Sequence, residues 1–248
     1  MNLQLFARIL VYISVVIVFI SAIIALVYDK KYIKKPIIIV VVFTGLFFLI
    51  RAYLKEFFPF TDKLESFITL FWLICISAVY YINKFSNKEF SVLLFLAFLA
   101  GLGVFIFKDI IKYPPPYLRT IWYPLHVPAS FLAYTFWFMA AIKSMFKSST
   151  HHSNSAFISN LNRNAYMLFT FGMISGGIWG YLAWGAYFLW DPKLVWSLIL
   201  WFYYGNLLHI DYIPSLKKYK RNFYIAGIFL ILITFIGTGF FSRSIHRF

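Results

Sequence analysis

Ile9-Leu10-Val11-Tyr12-Ile13-Ser14-Val15-Val16-Ile17-Val18-Phe19-Ile20-Ser21-Ala22-Ile23-Ile24-Ala25-Leu26-Val27 is an apolar run with no charged residue. It is long enough to cross a bilayer, whose hydrocarbon core takes about 20 residues of helix. No small-residue cleavage site clearly follows it, so it is expected to stay as a span and not to be removed as a signal peptide. The rest of the chain repeats the pattern: 62% of residues are hydrophobic and 12% charged, with mean hydropathy +0.79. A soluble domain of 248 residues could not hide that much apolar surface. Eight apolar stretches stand out, roughly 9–28, 36–50, 66–82, 90–107, 126–142, 165–183, 194–210 and 222–241, the second being the shortest. The expectation is an all-α, polytopic integral membrane bundle of about eight transmembrane helices, with no soluble domain and no internal repeat.

Orientation follows from where Lys and Arg fall between the stretches. Loops 29–35, 83–89, 143–164 and 211–221 hold 13 of the 23, and the N-terminus, the other loops and the tail hold 10. Lys-Lys-Tyr-Ile-Lys-Lys (30–35) and Lys-Lys-Tyr-Lys-Arg (217–221) make the first set denser. That set is expected inside, which places both termini outside. The net charge of +15 is thereby assigned to membrane topology in a lipid bilayer and not to nucleic acid. The single cysteine, Cys75, lies within an apolar run and excludes an intramolecular disulfide or a CxxC site. Charged side chains are nearly absent from the expected span interiors, which disfavours an ion-coupled transporter, a class that keeps such groups at mid-membrane.

Residues 176–201 read Gly-Gly-Ile-Trp-Gly-Tyr-Leu-Ala-Trp-Gly-Ala-Tyr-Phe-Leu-Trp-Asp-Pro-Lys-Leu-Val-Trp-Ser-Leu-Ile-Leu-Trp and hold five of the eight tryptophans: Trp179, Trp184, Trp190, Trp196 and Trp201. A concentration of flat rings beside an outward loop points to a large planar ligand. Tryptophan also collects at bilayer interfaces for its own reasons. Gly176, Gly177, Gly180 and Gly185 allow close approach of backbone or ligand, or serve helix packing. Asp191 before Pro192 is a helix-start signal for the next span.

Of five histidines, His151 and His152 sit in a polar inward loop, read as solvated residues, with a metal-binding pair as the alternative. His126 opens the fifth stretch and His246 follows the eighth, both outside; His209 closes the seventh, inside, next to Asp211. Taken singly, each is most simply an interfacial histidine. As a set, two outward histidines flank the tryptophan loop, and neutral imidazole is the usual axial ligand of haem iron. Lys193, Arg119 and Arg243 are candidate partners for haem propionates. His209 stands alone inside, so a bis-histidine site there needs a ligand from elsewhere, a hint of a partner subunit.

Trp184-Gly185-Ala186-Tyr187-Phe188-Leu189-Trp190-Asp191 resembles the WGxxWxWD signature (the WWD motif) of haem-handling proteins of cytochrome c assembly. The upstream Gly-Gly-Ile-Trp, the downstream Asp-Pro-Lys, the Leu-His end of the next stretch and the histidine near the C-terminus fit the CcsA (ResC-type) family of system II. His-Val-Pro-Ala-Ser (126–130) is similar to the segment around the first external histidine there and in the related CcmC family. The resemblance runs from about Tyr123 to the C-terminus, dividing the chain into N-terminal spans (1–122) and a haem-handling region (123–248). Phe188 departs from the family's middle tryptophan, and Leu194 from a common glutamate. Eight spans and a C-terminal histidine favour CcsA over the six-span CcmC.

The resemblance implies that His126 and His246 ligate haem b on the external side. Trp179, Trp184, Tyr187, Phe188, Trp190 and Asp191 would then form its binding surface. It implies that His209 ligates haem within the membrane, with the second inner ligand in a CcsB (ResB-type) partner. The chain would be the haem-handling subunit of a holocytochrome c synthase (haem lyase) complex in the bacterial cytoplasmic (inner) membrane, presenting haem outside to an apocytochrome c bearing CxxCH. A CcmC-type haem exporter or chaperone and a b-type haem electron carrier are the alternatives.

Overall fold

The computed structural model describes residues 2–146 and 151–238, with backbone alone for 151–154. Every regular element among the described residues is helical, and the chain divides into two compact units, Met1–Arg119 and Thr120–Phe248.

In the first unit, α1 (Leu3–Val27) starts on Asn2, whose side chain accepts the N–H of Gln4 at 3.1 Å. Asp29 caps a 3-10 turn that leads into α2 (Lys34–Lys55), which ends on Glu56 in the left-handed region at φ 53°. The carboxylate of Asp62 accepts the N–H of Glu65 at 2.8 Å and starts α3 (Lys63–Tyr80). Ser86 and Glu89 form a reciprocal capping box for α4 (Asn87–Gly101), which continues into the single-turn α5 (Gly103–Ile106). α1 and α3 each pack on both α2 and α4, closing a four-helix bundle. Val11, Val18, Phe47, Phe71 and Leu94 are buried in its core. A Cβ at Gly101 would stand 2.7 Å from Val15 Cγ2 and 3.0 Å from the Phe71 ring, so only glycine permits α4 to approach that closely.

The second stretch, expected over 36–50, is a helix of 22 residues, about 33 Å at 1.5 Å per residue. Its charged end is folded inward: Arg51 and Lys55 are buried. The Arg51 guanidinium meets Glu65 at 2.6 Å, Asp62 at 2.9 Å and also Asp109; Lys55 meets Glu65 at 2.6 Å and Asp62 at 2.8 Å. The backbone N–H of Thr61 donates to the other Glu65 oxygen at 2.8 Å. A buried carboxylate or guanidinium is tolerated only when paired and hydrogen-bonded, and here each one is. Charged side chains are thus placed at the end of α2 as well as the histidines singled out at the ends of other stretches. The members of this cluster come from separate segments, so no local pattern announces it.

In the second unit, α6 (Trp122–Met145) packs along α7 (His151–Trp184) and against α10 (Lys220–Leu232). α8 (Pro192–Leu207) packs on both α7 and α10, completing a second set of four helices. A short α9 (Pro214–Lys217) precedes α10, which runs into a π-helical turn over Ile233–Gly237. The core stacks the Trp137 indole on the Tyr204 ring at 3.8 Å and 8°, while Trp137 Nε1 donates to Asn162 Oδ1 at 2.9 Å. α7 has 34 residues, so the segment 151–164, expected as loop, forms its first turns. Among the described residues, seven helical stretches are long and apolar enough to cross a membrane; α8, at the expected seventh stretch, has 16 residues, about 24 Å. The molecule is an all-α polytopic membrane bundle.

Candidate functional site

The site is built by the start of α6, the end of α7 and the turn between α7 and α8. His126 lies in the second turn of α6 and is half-buried. Its Nδ1 donates to the carbonyl oxygen of Gly172 on α7 at 2.6 Å. A carbonyl only accepts, so Nδ1 carries a proton, and in the neutral ring Nε2 keeps its lone pair. That nitrogen is the form of histidine that ligates a metal.

α7 ends because Gly185 adopts φ 74°, a conformation natural to glycine, with its N–H bonded to the Tyr181 carbonyl at 2.8 Å. The chain then runs back over the last turns of α7: Cβ atoms at Gly177 and Gly180 would stand 3.4 Å from the Tyr187 oxygen and 3.3 Å from the Ala186 oxygen. At the far end of this turn, Asp191 is buried and caps α8, accepting the Lys193 N–H at 2.9 Å, with Pro192 at the first helical position. The capping expected of Asp191 is thus its observed structural role.

Trp179, Trp184, Trp190 and Trp201 divide, with their aromatic neighbours, into three groups. Trp179 is buried, with its ring centroid 4.9 Å from Tyr123 and 4.8 Å from Trp184, and its plane lies within 18° of the His126 imidazole. Tyr187, Phe188 and Trp190 face outward, Trp190 being 87% exposed; Tyr187 stacks on Tyr181 at 4.5 Å, and Phe188 meets Trp190 edge-on at 5.5 Å. Trp201 belongs to packing: its Nε1 donates to Thr170 Oγ1 at 2.9 Å and its ring stacks on Tyr166. The inner layer therefore supports His126, and the outer layer offers ring faces and edges to a ligand or partner.

Among the cations considered for propionates, Lys193 stands in the first turn of α8, its backbone N–H bonded to the Asp191 carboxylate. Arg119 is engaged locally, its Nε donating to the Pro114 carbonyl at 2.9 Å and its guanidinium 3.5 Å over the Tyr113 ring. Arg243 and His246 lie outside the described residues, as do the side chains of His151 and His152.

His209 is exposed just beyond the end of α8 opposite to Asp191, about 27 Å away by helical rise. The structure therefore does not bring His209 to His126. Two residues on, Asp211 accepts from Lys220 Nζ at 2.6 Å and Ser159 Oγ at 2.9 Å, which ties α7, α10 and the end of α8 together. Sequence reading missed this tie, although Asp211 stood beside a basic run that supplied Lys220.

The fold and this turn define a helical membrane protein in which a half-buried histidine, hydrogen-bonded through Nδ1, lies beside an aromatic interhelical turn. The chain belongs to the cytochrome c assembly protein family, whose pattern it matches over residues 61–246. That match begins within the first unit, well before the Tyr123 boundary of the resemblance. The chain is 26% identical over 239 residues to the cytochrome c biogenesis protein CcsA of Guillardia theta, covering 77% of each chain. It is 24% identical over 267 residues to CcsA of Prochlorococcus marinus, covering 89% of this chain and 84% of that one. Its fold is similar to that of a cytochrome c haem lyase, CcmF, with TM-score 0.74 at 15% identity over 98% of this chain and 48% of CcmF, so it spans about half of that structure. The role of the chain lies in cytochrome c biogenesis.

Proposed function

We propose that this protein presents haem b for covalent attachment to apocytochrome c, on the outer side of a bacterial cytoplasmic membrane. The observation that carries the reading is the contact between His126 Nδ1 and the Gly172 carbonyl. With Nδ1–H committed to the Gly172 carbonyl, Nε2 is left as an iron ligand next to an aromatic turn. His246 would be the second external ligand, and bis-imidazole ligation keeps the iron saturated.

The residues of this chain bind and orient; they need not act as acids or nucleophiles. Tyr187, Phe188 and Trp190 cover the porphyrin face, Trp179 and Trp184 hold the layer beneath, and Asp191 keeps the turn in shape by capping α8. Lys193, in the first turn of α8 next to the Asp191 cap, would pair with a propionate. An apocytochrome segment Cys-x-x-Cys-His then approaches, and its histidine replaces one axial ligand. Each cysteine S–H adds across a haem vinyl C=C, sulfur bonding to one carbon and hydrogen to the other, with no net oxidation. Catalysis is positioning plus control of iron ligation. His209, exposed at the opposite end of α8, would receive haem from the inner side with a second ligand from a CcsB (ResB-type) partner, as in a system II synthase.

The test is the absorption spectrum of the purified protein, oxidised and dithionite-reduced, co-expressed with and without a CcsB-type partner. A low-spin bis-histidine spectrum, lost or altered in His126→Ala and in His246→Ala, is expected. Unchanged haem content in both variants would rule out presentation and leave an exporter without ligation chemistry.

A further inference from the structure

We infer that the Gly172–Gly176 turn of α7 is the positioning element for His126: it selects which ring nitrogen is offered to the ligand and sets where that nitrogen points. The inference deepens the haem-presentation reading and rests on it.

The imidazole of His126 occupies the place where a side chain at residue 176 would be. A Cβ at Gly176 would stand 2.5 Å from Nδ1, 2.8 Å from Cε1 and 3.2 Å from Cγ. These three atoms form one edge of the ring, so Cδ2 and Nε2 form the edge turned away from residue 176. The same insertion brings Nδ1 to 2.6 Å from the Gly172 oxygen, one helical turn earlier. Two glycines therefore perform different tasks: Gly176 admits the ring, and the Gly172 carbonyl fixes its proton.

The next turn of α6 repeats the arrangement. A Cβ at Gly172 would stand 2.7 Å from Ser130 Oγ, and the Ser130 hydroxyl donates back to the His126 carbonyl at 2.9 Å. α6 and α7 thus approach closely at two consecutive turns. Ser175, fully buried, approaches the same Gly172 oxygen at 3.0 Å and the Phe171 oxygen at 2.8 Å, which keeps this carbonyl in a polar, ordered setting. Trp179 flanks the ring almost parallel to it. A hydrogen bond from the distal N–H of a ligating histidine fixes its tautomer and raises its basicity as a ligand, and losing such a partner typically lowers metal affinity. Here that partner is a backbone carbonyl, made reachable by the absence of a side chain four residues later.

The experiment uses the full chain in detergent with Gly176→Ala, and Gly45→Ala as a control, since a Cβ at Gly45 meets only Trp72 at 3.6 Å. The first readout needs no haem: side-chain ¹⁵N NMR of labelled histidine, assigned by His126→Ala. Wild type and Gly45→Ala are expected to show His126 in the single Nδ1–H form, and Gly176→Ala a mixture of tautomers. The second readout is haem retained on co-purification with the partner, expected to fall about 10- to 100-fold in Gly176→Ala. Damage to folding is separated by a third comparison, His126→Gly complemented with free imidazole. There the ring is untethered and can shift, so adding Gly176→Ala should cost little. An unchanged tautomer in Gly176→Ala, or an equal loss of haem in the complemented background, overturns the inference. Haem content unchanged in both His126→Ala and His246→Ala would instead overturn the presentation reading, while the tautomer result would still report on the notch.

Discussion

The imidazole of His126 and the indole of Trp179 lie within 18° of parallel, their centroids 6.4 Å apart, although they belong to different helices. Trp179 is 2% exposed and also touches Tyr123 and Trp184, so it is the buried support of the site. Trp190, eleven residues on in the same motif, is 87% exposed. Truncating a buried tryptophan costs about 3–5 kcal/mol, whereas an exposed substitution stays within about 0.5 kcal/mol. Trp179→Ala is expected to lower the thermal midpoint strongly. Trp190→Ala should leave the midpoint in place and reduce haem retention or attachment. Equal midpoints for the two variants would refute the division into inner and outer layers.

Asp191 caps α8 through its side chain. Asp191→Ala should cost about 1 kcal/mol, and Asp191→Asn much less, because asparagine is an equally good cap. Thermal unfolding of the two variants checks this. An Asn variant as unstable as the Ala variant would show that the carboxylate charge, not the cap, holds the turn.

Arg51 faces Glu65, Asp62 and Asp109 from a buried position. Removing the cation leaves carboxylates buried without it, a change of about 3–5 kcal/mol. Arg51→Ala is expected to destabilise the protein by that order, and Arg163→Ala, on an exposed turn of α7, to have no measurable effect. Comparable midpoints for both variants would mean that the cluster contributes little.

Burial pushes the Asp211 carboxyl up, but hydrogen bonds from Lys220 and Ser159 and the charges of Lys220 and Lys217 outweigh it and hold the group below its ordinary value. A carboxylate with a lowered pKa in the folded state binds protons more readily when unfolded as the pH falls. Its stabilisation is therefore complete above the ordinary carboxylate value, about 3.9, and is lost as the pH drops through the lowered one. Wild type should exceed Asp211→Asn in thermal stability at neutral pH, and the gap should close in acid below that value. A gap that stays constant through that range would show that the ion pair is not its source.

Composition and the length of the apolar runs were sufficient for the all-helical membrane class, because a bilayer imposes span length and apolarity on each segment separately. Asp191-Pro192 likewise announced the start of α8, since capping acts between residues two or three apart. The second unit's aromatic motif and His126 could be named from their order along the chain. What the tertiary structure alone decided involves distant residues meeting. The Arg51 cluster joins side chains as far as 58 positions apart. The tryptophan motif divides into a buried support, an exposed face and a packing residue because the turn at Gly185 reverses the chain over α7. Above all, the proton of His126 is placed by a carbonyl 46 residues away, through a notch that exists only because residue 176 has no side chain. A sequence records that Gly176 is small, but only the packing of α6 against α7 determines what fills the space.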